Sequence, residues 1–438
     1  MKRIVSILIG SLLGVSSAWA QDESPYMRVV TPEQNITRLD VAVRTLVSDD
    51  ASRPIVHLVG AVHIGDPSFY RDLQAYLDIH DVVLYEGVGG AREPVPEHGQ
   101  EAKVRTTERR LRFLKIVADD AVRSGASLPT TPDEFLATQA GATKMIVEGA
   151  LEDAWGNEIE IEQEGDSLEA VSLGSDGKPG GEGAAADIAL SELLASPGES
   201  HRNPEAAGLQ RDLADALGLE FQLDGIDYGH PNWRNSDLSV EQIRAALAGK
   251  PLPPDRPAGP RRLTPPDGER TKASKDGTEV EKAADALFGA LSGDSFMAKT
   301  MGFLMKMVGS SKQGRAMVKV MLADTLTNAD ELLSSQEGAL GELMTVLTVD
   351  RNKAVVEDLE AIIDDEPGVR SVAIFYGAGH FTDLEKQLAE KLGYHWESTM
   401  WLPAMTIDLD DAGLSSRQVE GFRKLMKNAI RKQLDKGG

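Results

Sequence analysis

Residues Pro54 to Gly87 read PIVHLVGAVHIGDPSFYRDLQAYLDIHDVVLYEG, and this stretch decides the fold. The apolar run Ile55 to Val59 breaks at Gly60, and His63 stands three residues past the break. A short continuous apolar run closed by glycine reads as a buried strand. Asp66 and Pro67 then supply an N-cap and a first-turn proline, and Phe69, Tyr70, Leu73, Tyr76 and Leu77 share one helical face. A second apolar run, Val82 to Tyr85, delivers Glu86 just before Gly87. The unit is strand, His, helix, strand, Glu.

Downstream the pattern returns in SVAIFYGAGHFTDLEKQLAEKLGYHW, where Val372 to Tyr376 breaks at Gly377 and His380 stands three residues on. Thr382 and Glu385 have capping-box spacing, and Leu384, Leu388 and Leu392 give the following helix a buried stripe. In an open parallel sheet, catalytic and ligand groups gather at the carboxyl ends of the strands, so His63, Glu86 and His380 are expected to converge. Two imidazoles and a carboxylate form a common set for a catalytic divalent metal with an open position.

The two GxxH motifs, Gly60 to His63 and Gly377 to His380, with Glu86 ending the second strand, resemble the TraB/Tiki group that includes pheromone-shutdown and GumN-like proteins. Asp350-Arg351-Asn352 opening a helix, Val355 to Ile363 and Trp401-Leu402-Pro403 extend the resemblance, which covers residues 41–97 and 206–407 with gaps. It implies an α/β fold with a central, mainly parallel sheet and flanking helices, distantly similar to erythromycin esterases and haem-binding ChaN proteins. For the Tiki branch it implies metal-dependent proteolysis. On that reading His63 and His380 hold Mn²⁺, Co²⁺ or Zn²⁺, and Glu86 is either the third ligand or the general base. A metal-free variant has His63 activate water directly. Arg351 is expected to orient Glu86 or clamp a substrate carboxylate, the alternative being a surface ion pair.

A chain of 438 residues, 41% hydrophobic, can bury one large core or two moderate ones. Its net charge of −24 argues against nucleic acid and anionic membrane surfaces as general partners. The first residues, MKRIVSILIGSLLGVSSAWAQ, have two basic residues, an apolar segment from Ile4 to Val15 and a small-x-small site at Ala18-Trp19-Ala20. This reads as a signal peptide over residues 1–20, and the apolar run is short for a membrane anchor. With no Cys there is neither disulfide nor lipoprotein attachment site, so an exported, periplasmic protein is expected.

Asn35 to Ser48 alternates as an edge strand, and Val104 to Ser124 has helical spacing. The run ALEDAWGNEIEIEQEGDSLEAVSLGSDGKPGGEGAAADIAL then combines a Trp-Gly-Asn turn, two short strands and a Gly/Asp-rich loop. Asp153 to Asn157, Ser172 to Gly181 and Asp187-Ile188 resemble, in order, the C-terminal half of the type II secretion major pseudopilin. The resemblance implies a small α+β insertion and calcium held by Asp176, Asp187 and the Leu173 carbonyl, although Ala185 replaces an acidic residue common there. The other reading of the loop is a solvated turn without metal.

The remaining expectations are a linker at Ser196 to Asn203, a helix from Ala206 to Leu217, and a strand from Glu220 to Tyr228 ending near Asp227 and His230. A Pro-rich linker over 250–280 precedes helices at 281–291, 296–308 and 315–333, and a basic amphipathic helix runs from Ser415 to Lys436. Met297, Met301, Met305 and Met307 read as core or as a lid. The resulting plan is 1–20 leader, 21–100 α/β, 101–192 insertion, 193–249 α/β, 250–280 linker, and 281–438 a helical segment with the last α/β part.

Three functions follow as expectations. The first is an exported metal-dependent hydrolase acting on peptides or proteins. The second is a periplasmic protein that binds or sequesters a peptide, metal or haem. In the third, the pseudopilin-like insertion docks the chain to a secretion or pilus component.

Overall fold

The runs 55–61, 82–85 and 371–377 are buried almost throughout, which an edge strand or a half-solvated sheet cannot satisfy. They must therefore lie side by side in the middle of a sheet with both faces covered. The computed structural model describes residues 26–87, 99–139, 141–165, 167–196, 209–247, 311–327 and 346–424. The expected leader, the linkers, the helices at 281–291 and 296–308 with their methionines, and the chain beyond 424 lie outside these residues.

In chain order the elements are β1 (Met27–Val30), β2 (Ile36–Ser48), β3 (Ile55–Ala61), β4 (Ile64–Gly65), α1 (Pro67–Asp78), β5 (Val82–Tyr85) and α2 (Gly99–Arg123). The insertion continues as α3 (Pro132–Thr138), α4 (Thr143–Ala150), β6 (Glu160–Glu164), β7 (Ser167–Ser172), β8 (Ile188–Ala189) and α5 (Leu190–Ala195). Then come α6 (Leu209–Leu217), β9 (Glu220–Phe221), α7 (Gln222–Gly225), β10 (Trp233–Asn235), α8 (Val240–Leu247) and α9 (Lys312–Thr327). A π-type turn at Val346–Asp350 leads into α10 (Arg351–Asp365), followed by β11 (Ser371–Gly377), α11 (Phe381–Leu392) and β12 (Tyr394–Asp408).

The fold is mixed α/β, with helices flanking one seven-stranded sheet. β3, β11, β5 and β10 are adjacent and parallel, with Ile55 opposite Ser371, Val82 opposite Val372 and Trp233 opposite Val83. β2 is not the edge strand its alternation suggested. It pairs antiparallel with β1 and β3 along one side and with the whole of β12 along the other. β12 shifts register at Pro403, where a proline with no N–H is tolerated. Among the described residues no helix is long and apolar enough to cross a membrane.

Three local expectations change. Asp66 does precede α1, but its side chain caps nothing in that helix and instead accepts from the Thr406 N–H at 2.7 Å, tying α1 to β12. Thr382 and Glu385 form no capping box, because α11 starts two residues earlier than that box requires, with His380 at the cap. Glu385 accepts from Arg44 and Tyr26 across the sheet. The strand expected over 220–228 stops at Phe221, which pairs antiparallel with Ile64, and the chain turns into α7.

Beneath the sheet, His57 and His80 are buried and their rings lie 4.7 Å apart. His57 Nδ1 is 2.6 Å from the Tyr76 hydroxyl, and His80 Nδ1–H donates to the Tyr76 carbonyl at 3.0 Å. Burial holds His57 well below the ordinary imidazole value. It pulls His80 down to about 4, against the opposing backbone hydrogen bonds. An unfolded chain with imidazoles near 6.5 therefore binds more protons than the folded one as the pH falls from 6.5 to 4. The stability due to neutral burial is complete above pH 6.5 and is lost by pH 4, about 3 kcal/mol from His80 alone. Thermal melts of the parent and His80→Gln should diverge less at pH 4.5 than at pH 7.5; a constant difference would refute this account.

Candidate functional site

Four chain segments deliver side chains to the carboxyl end of the sheet. β5 ends at Tyr85 and places Glu86, whose N–H donates to the Phe375 carbonyl at 3.0 Å. β11 ends at Gly377, and a 3-10 turn over Ala378–His380 sets His380 at the head of α11. β10 runs out through Ser236 into Asp237. The π-type turn aims Arg351, the first residue of α10, back over these ends.

Arg351 is the centre of the cluster. Its Nε donates to Asp237 Oδ1 at 2.8 Å and its NH2 to Asp237 Oδ2 at 2.7 Å, a bidentate fork, while NH2 also donates to Glu86 Oε1 at 2.6 Å. The second Glu86 oxygen accepts from the Gly377 N–H at 2.8 Å. A side chain at 377 would place its Cβ 3.3 Å from that oxygen, so glycine lets the strand end approach the carboxylate. His380 Nε2 lies 3.8 Å from Glu86 Oε1 and 3.5 Å from Arg351 NH1. Asp237 is fully buried, Arg351 nearly so, and Glu86 and His380 keep small openings to solvent.

The electrostatics follow from this packing. Burial raises Glu86, but the His380 and Arg351 charges and the Gly377 N–H outweigh it and bring the carboxyl down to about 2. Glu86 is therefore an anion at any working pH. Burial holds His380 below the ordinary imidazole value although Glu86 pulls the other way, so the ring is neutral near pH 7.

Glu86, His380 and Arg351, expected from the sequence, are thus joined, but His63 is not joined to them. The two Gly-Ala-x-His turns match in sequence and differ in structure. Gly60 lies inside β3, where a Cβ would come within 2.4 Å of Val41 Cγ1, and the strand continues to Ala61, opposite Gly377. The chain then enters β4, leaving His63 exposed, its carbonyl accepting from Gln222 N–H. No hydrogen bond or ion pair ties the His63 side chain to Glu86 or His380 among the described residues.

Among the described residues no three His, Cys, Asp or Glu side chains converge as a metal site. Arg351, a fixed cation, lies where an ion shared by Glu86 and His380 would need room. Its donors to Asp237 and Glu86 also leave the orienting role better supported than a clamp on a substrate carboxylate. Asp227 and His230 lie ahead of β10, at its amino end. There His230 faces Asp78, Asp227 and Arg109, away from Glu86.

The sequence reading missed Asp237 and the part played by Asn352. Asp237 follows a strand of only three residues, too short to read by periodicity. Asn352 was visible as part of Asp-Arg-Asn but carried no role.

The insertion is a long helix, α2, backed by the sheet β6-β7-β8. The Asp153 carboxylate, buried, accepts from the Trp155 N–H and Asn157 N–H at 2.9 Å and from the Ser172 hydroxyl at 2.7 Å, which fixes the Trp-Gly-Asn turn. Asp153→Ala leaves those donors unmatched and should cost about 3 kcal/mol, read as a lower melting temperature. In the candidate calcium loop Asp187 accepts from the Gly180 N–H at 2.9 Å and Asp176 from the Lys178 N–H at 3.2 Å, while Leu173 precedes the 3-10 turn Gly174–Asp176.

No curated protein and no solved structure matches the chain. The family model for type II secretion system (T2SS), protein G, matches residues 100–191. Those residues lie within the segment between β5 and α6, so the α/β body bears an insertion similar to protein G of the type II secretion system.

Proposed function

We propose that this protein is an exported hydrolase of the TraB/Tiki kind, acting on peptides or proteins, with His380 and Glu86 as its reactive pair. The convergence of Glu86, His380 and Arg351 at the carboxyl ends of parallel strands supports this reading above all. His380 is neutral and keeps a small opening to solvent, and its Nε2 accepts only a long hydrogen bond from Arg351 NH1 at 3.5 Å, so it is the group suited to take a proton from water. Both Glu86 oxygens are already bonded, so its role is a fixed negative charge that stabilises the imidazolium formed. Arg351 holds that charge in place. Export is part of the proposal and draws on the protein G-like domain and the leader-like first 20 residues. A divalent metal, Mn²⁺, Co²⁺ or Zn²⁺, belongs to the proposal only if His63 can be drawn in.

The test is cleavage of a mixed peptide library by the chain from Gln21 onward, alone and with each metal, beside His380→Gln, Glu86→Gln and His63→Ala. Cleavage reduced at least about 100-fold by the first two changes is the expected result. If His63→Ala matches the parent under every metal, the metal part falls. Cleavage that is absent, or indifferent to His380 and Glu86, overturns the hydrolase reading.

A second reading has its own observation, the protein G match over 100–191. It makes the chain a binding protein tied to a secretion or pilus component, with calcium held by Leu173, Asp176 and Asp187 as a further part of the proposal.

A further inference from the structure

The Asn352 amide is fully buried, and all its polar atoms are engaged. Nδ2 donates to the His380 carbonyl at 3.0 Å and to Asp383 Oδ2 at 2.9 Å. Asp383 Oδ2 is itself held by Gln387 Nε2 at 2.6 Å, so the carboxylate cannot swing away without breaking a second bond. With both amide hydrogens committed to acceptors, the atom 2.8 Å from His380 Nδ1 is the Oδ1 acceptor. An acceptor there requires a hydrogen on Nδ1. In the neutral ring the lone pair then falls on Nε2.

In water a free histidine side chain interchanges between its tautomers, with Nε2–H the more common. An Nε2–H in this site would point a donor at Glu86 Oε1, 3.8 Å away, and would leave no lone pair to accept a proton. The opposite tautomer leaves Nε2 as the accepting atom, between Glu86 and the Arg351 guanidinium. We propose that Asn352 is a positioning residue, locked by Asp383 and Gln387, that holds His380 in the Nδ1–H tautomer and so keeps Nε2 available in the site. The functional meaning rests on His380 being the reactive imidazole; the tautomer itself is a property of the folded chain.

Histidine-labelled protein read by long-range ¹H–¹⁵N NMR near pH 8 tests this without any substrate, the His380 signals being those lost in His380→Gln. The parent should show a pyrrole-type Nδ1 and a pyridine-type Nε2. Asn352→Leu removes the acceptor and should move the ring to Nε2–H or to a mixture. An Nε2–H ring in the parent overturns the proposal, as does an unchanged Nδ1–H ring in Asn352→Leu; if that variant does not fold, Asn352→Ser takes its place. Where cleavage is observed, Asn352→Leu should lose on the order of 100-fold in kcat at unchanged KM. A chain with no cleavage but the Nδ1–H pattern defeats the hydrolase reading and leaves the positioning role standing.

Discussion

Arg351→Leu should destabilise the folded chain by about 3–5 kcal/mol and abolish whatever chemistry Glu86 and His380 support. The substitution roughly preserves volume but removes the cationic partner of a fully buried Asp237 and the shortest hydrogen bond of Glu86 among the described residues. Breaking a buried pair from one side strands a charge in low dielectric, which costs far more than the pair contributes over an apolar replacement. Glu86 loses two of the influences that hold it near 2, while the burial cost that raises it remains, so its carboxyl titrates upward. The orphaned carboxyl can then be relieved by protonation, and the deficit should shrink as the pH falls from 7 toward 5. Arg351→Lys should recover little, since an ammonium cannot fork across Asp237 and still reach Glu86. Adding Asp237→Asn to Arg351→Leu should recover part of the loss, because the second change removes the stranded charge. Thermal and denaturant unfolding at two pH values measure all of this, and a loss below about 1 kcal/mol would place Arg351 among ordinary surface ion pairs.

The parts of the fold read from the sequence were those whose signal is local. The apolar runs at 55–59, 82–85 and 372–376 became the central parallel strands because nothing but a doubly covered sheet can bury them. The turn chemistry after each run put Glu86 and His380 at the right edge. What failed depended on partners far along the chain. β2 read as an edge because β12, its second neighbour, lies some 350 positions downstream, and only that pairing makes it interior. Glu385 had capping-box spacing, yet Arg44 on β2 and Tyr26 just ahead of β1 competed for it and won. His63 and His380 shared a four-residue pattern, but Gly60 serves a close approach to Val41 within a strand while Gly377 ends one and admits Glu86. Spacing alone could not tell these two glycines apart. Asp237, the buried counter-ion on which the site depends, had no periodic strand to announce it.

Removing residues 100–191 and joining the flanks with a short linker should yield an aggregated or molten chain, not a smaller α/β protein. The sequence suggested a separable module, but α2 is a shared wall. One face packs on the insertion's own β7, α4 and α5, and the other on α1 and β12 of the body. On that second face Phe113 lies against Tyr76 with ring centres 5.7 Å apart, and Arg109 faces the buried Asp78 carboxylate at 3.3 Å. Asp120 and Arg123 take up the Trp401 N–H and carbonyl on β12, and Glu397 accepts from the Ala142 N–H. Excision would bare an apolar helix face, take Arg109 from the buried Asp78 and open a strand edge, three separate losses against a total stability of about 5–15 kcal/mol. Phe113→Ala isolates the packing part and should cost about 3–5 kcal/mol while the whole chain still melts in one transition. Two transitions, with the α/β body unmoved by Phe113→Ala, would show that the insertion is an independent domain after all. The same geometry limits how a secretion partner could be met. Both faces of α2 pack inside the chain, so the outer side of β6-β7-β8 and the loop from Leu173 to Asp187 are among the surfaces the insertion leaves open to the proposed partner. Substitutions at Asp176 and Asp187 should therefore change partner or calcium binding while leaving the melting of the body in place.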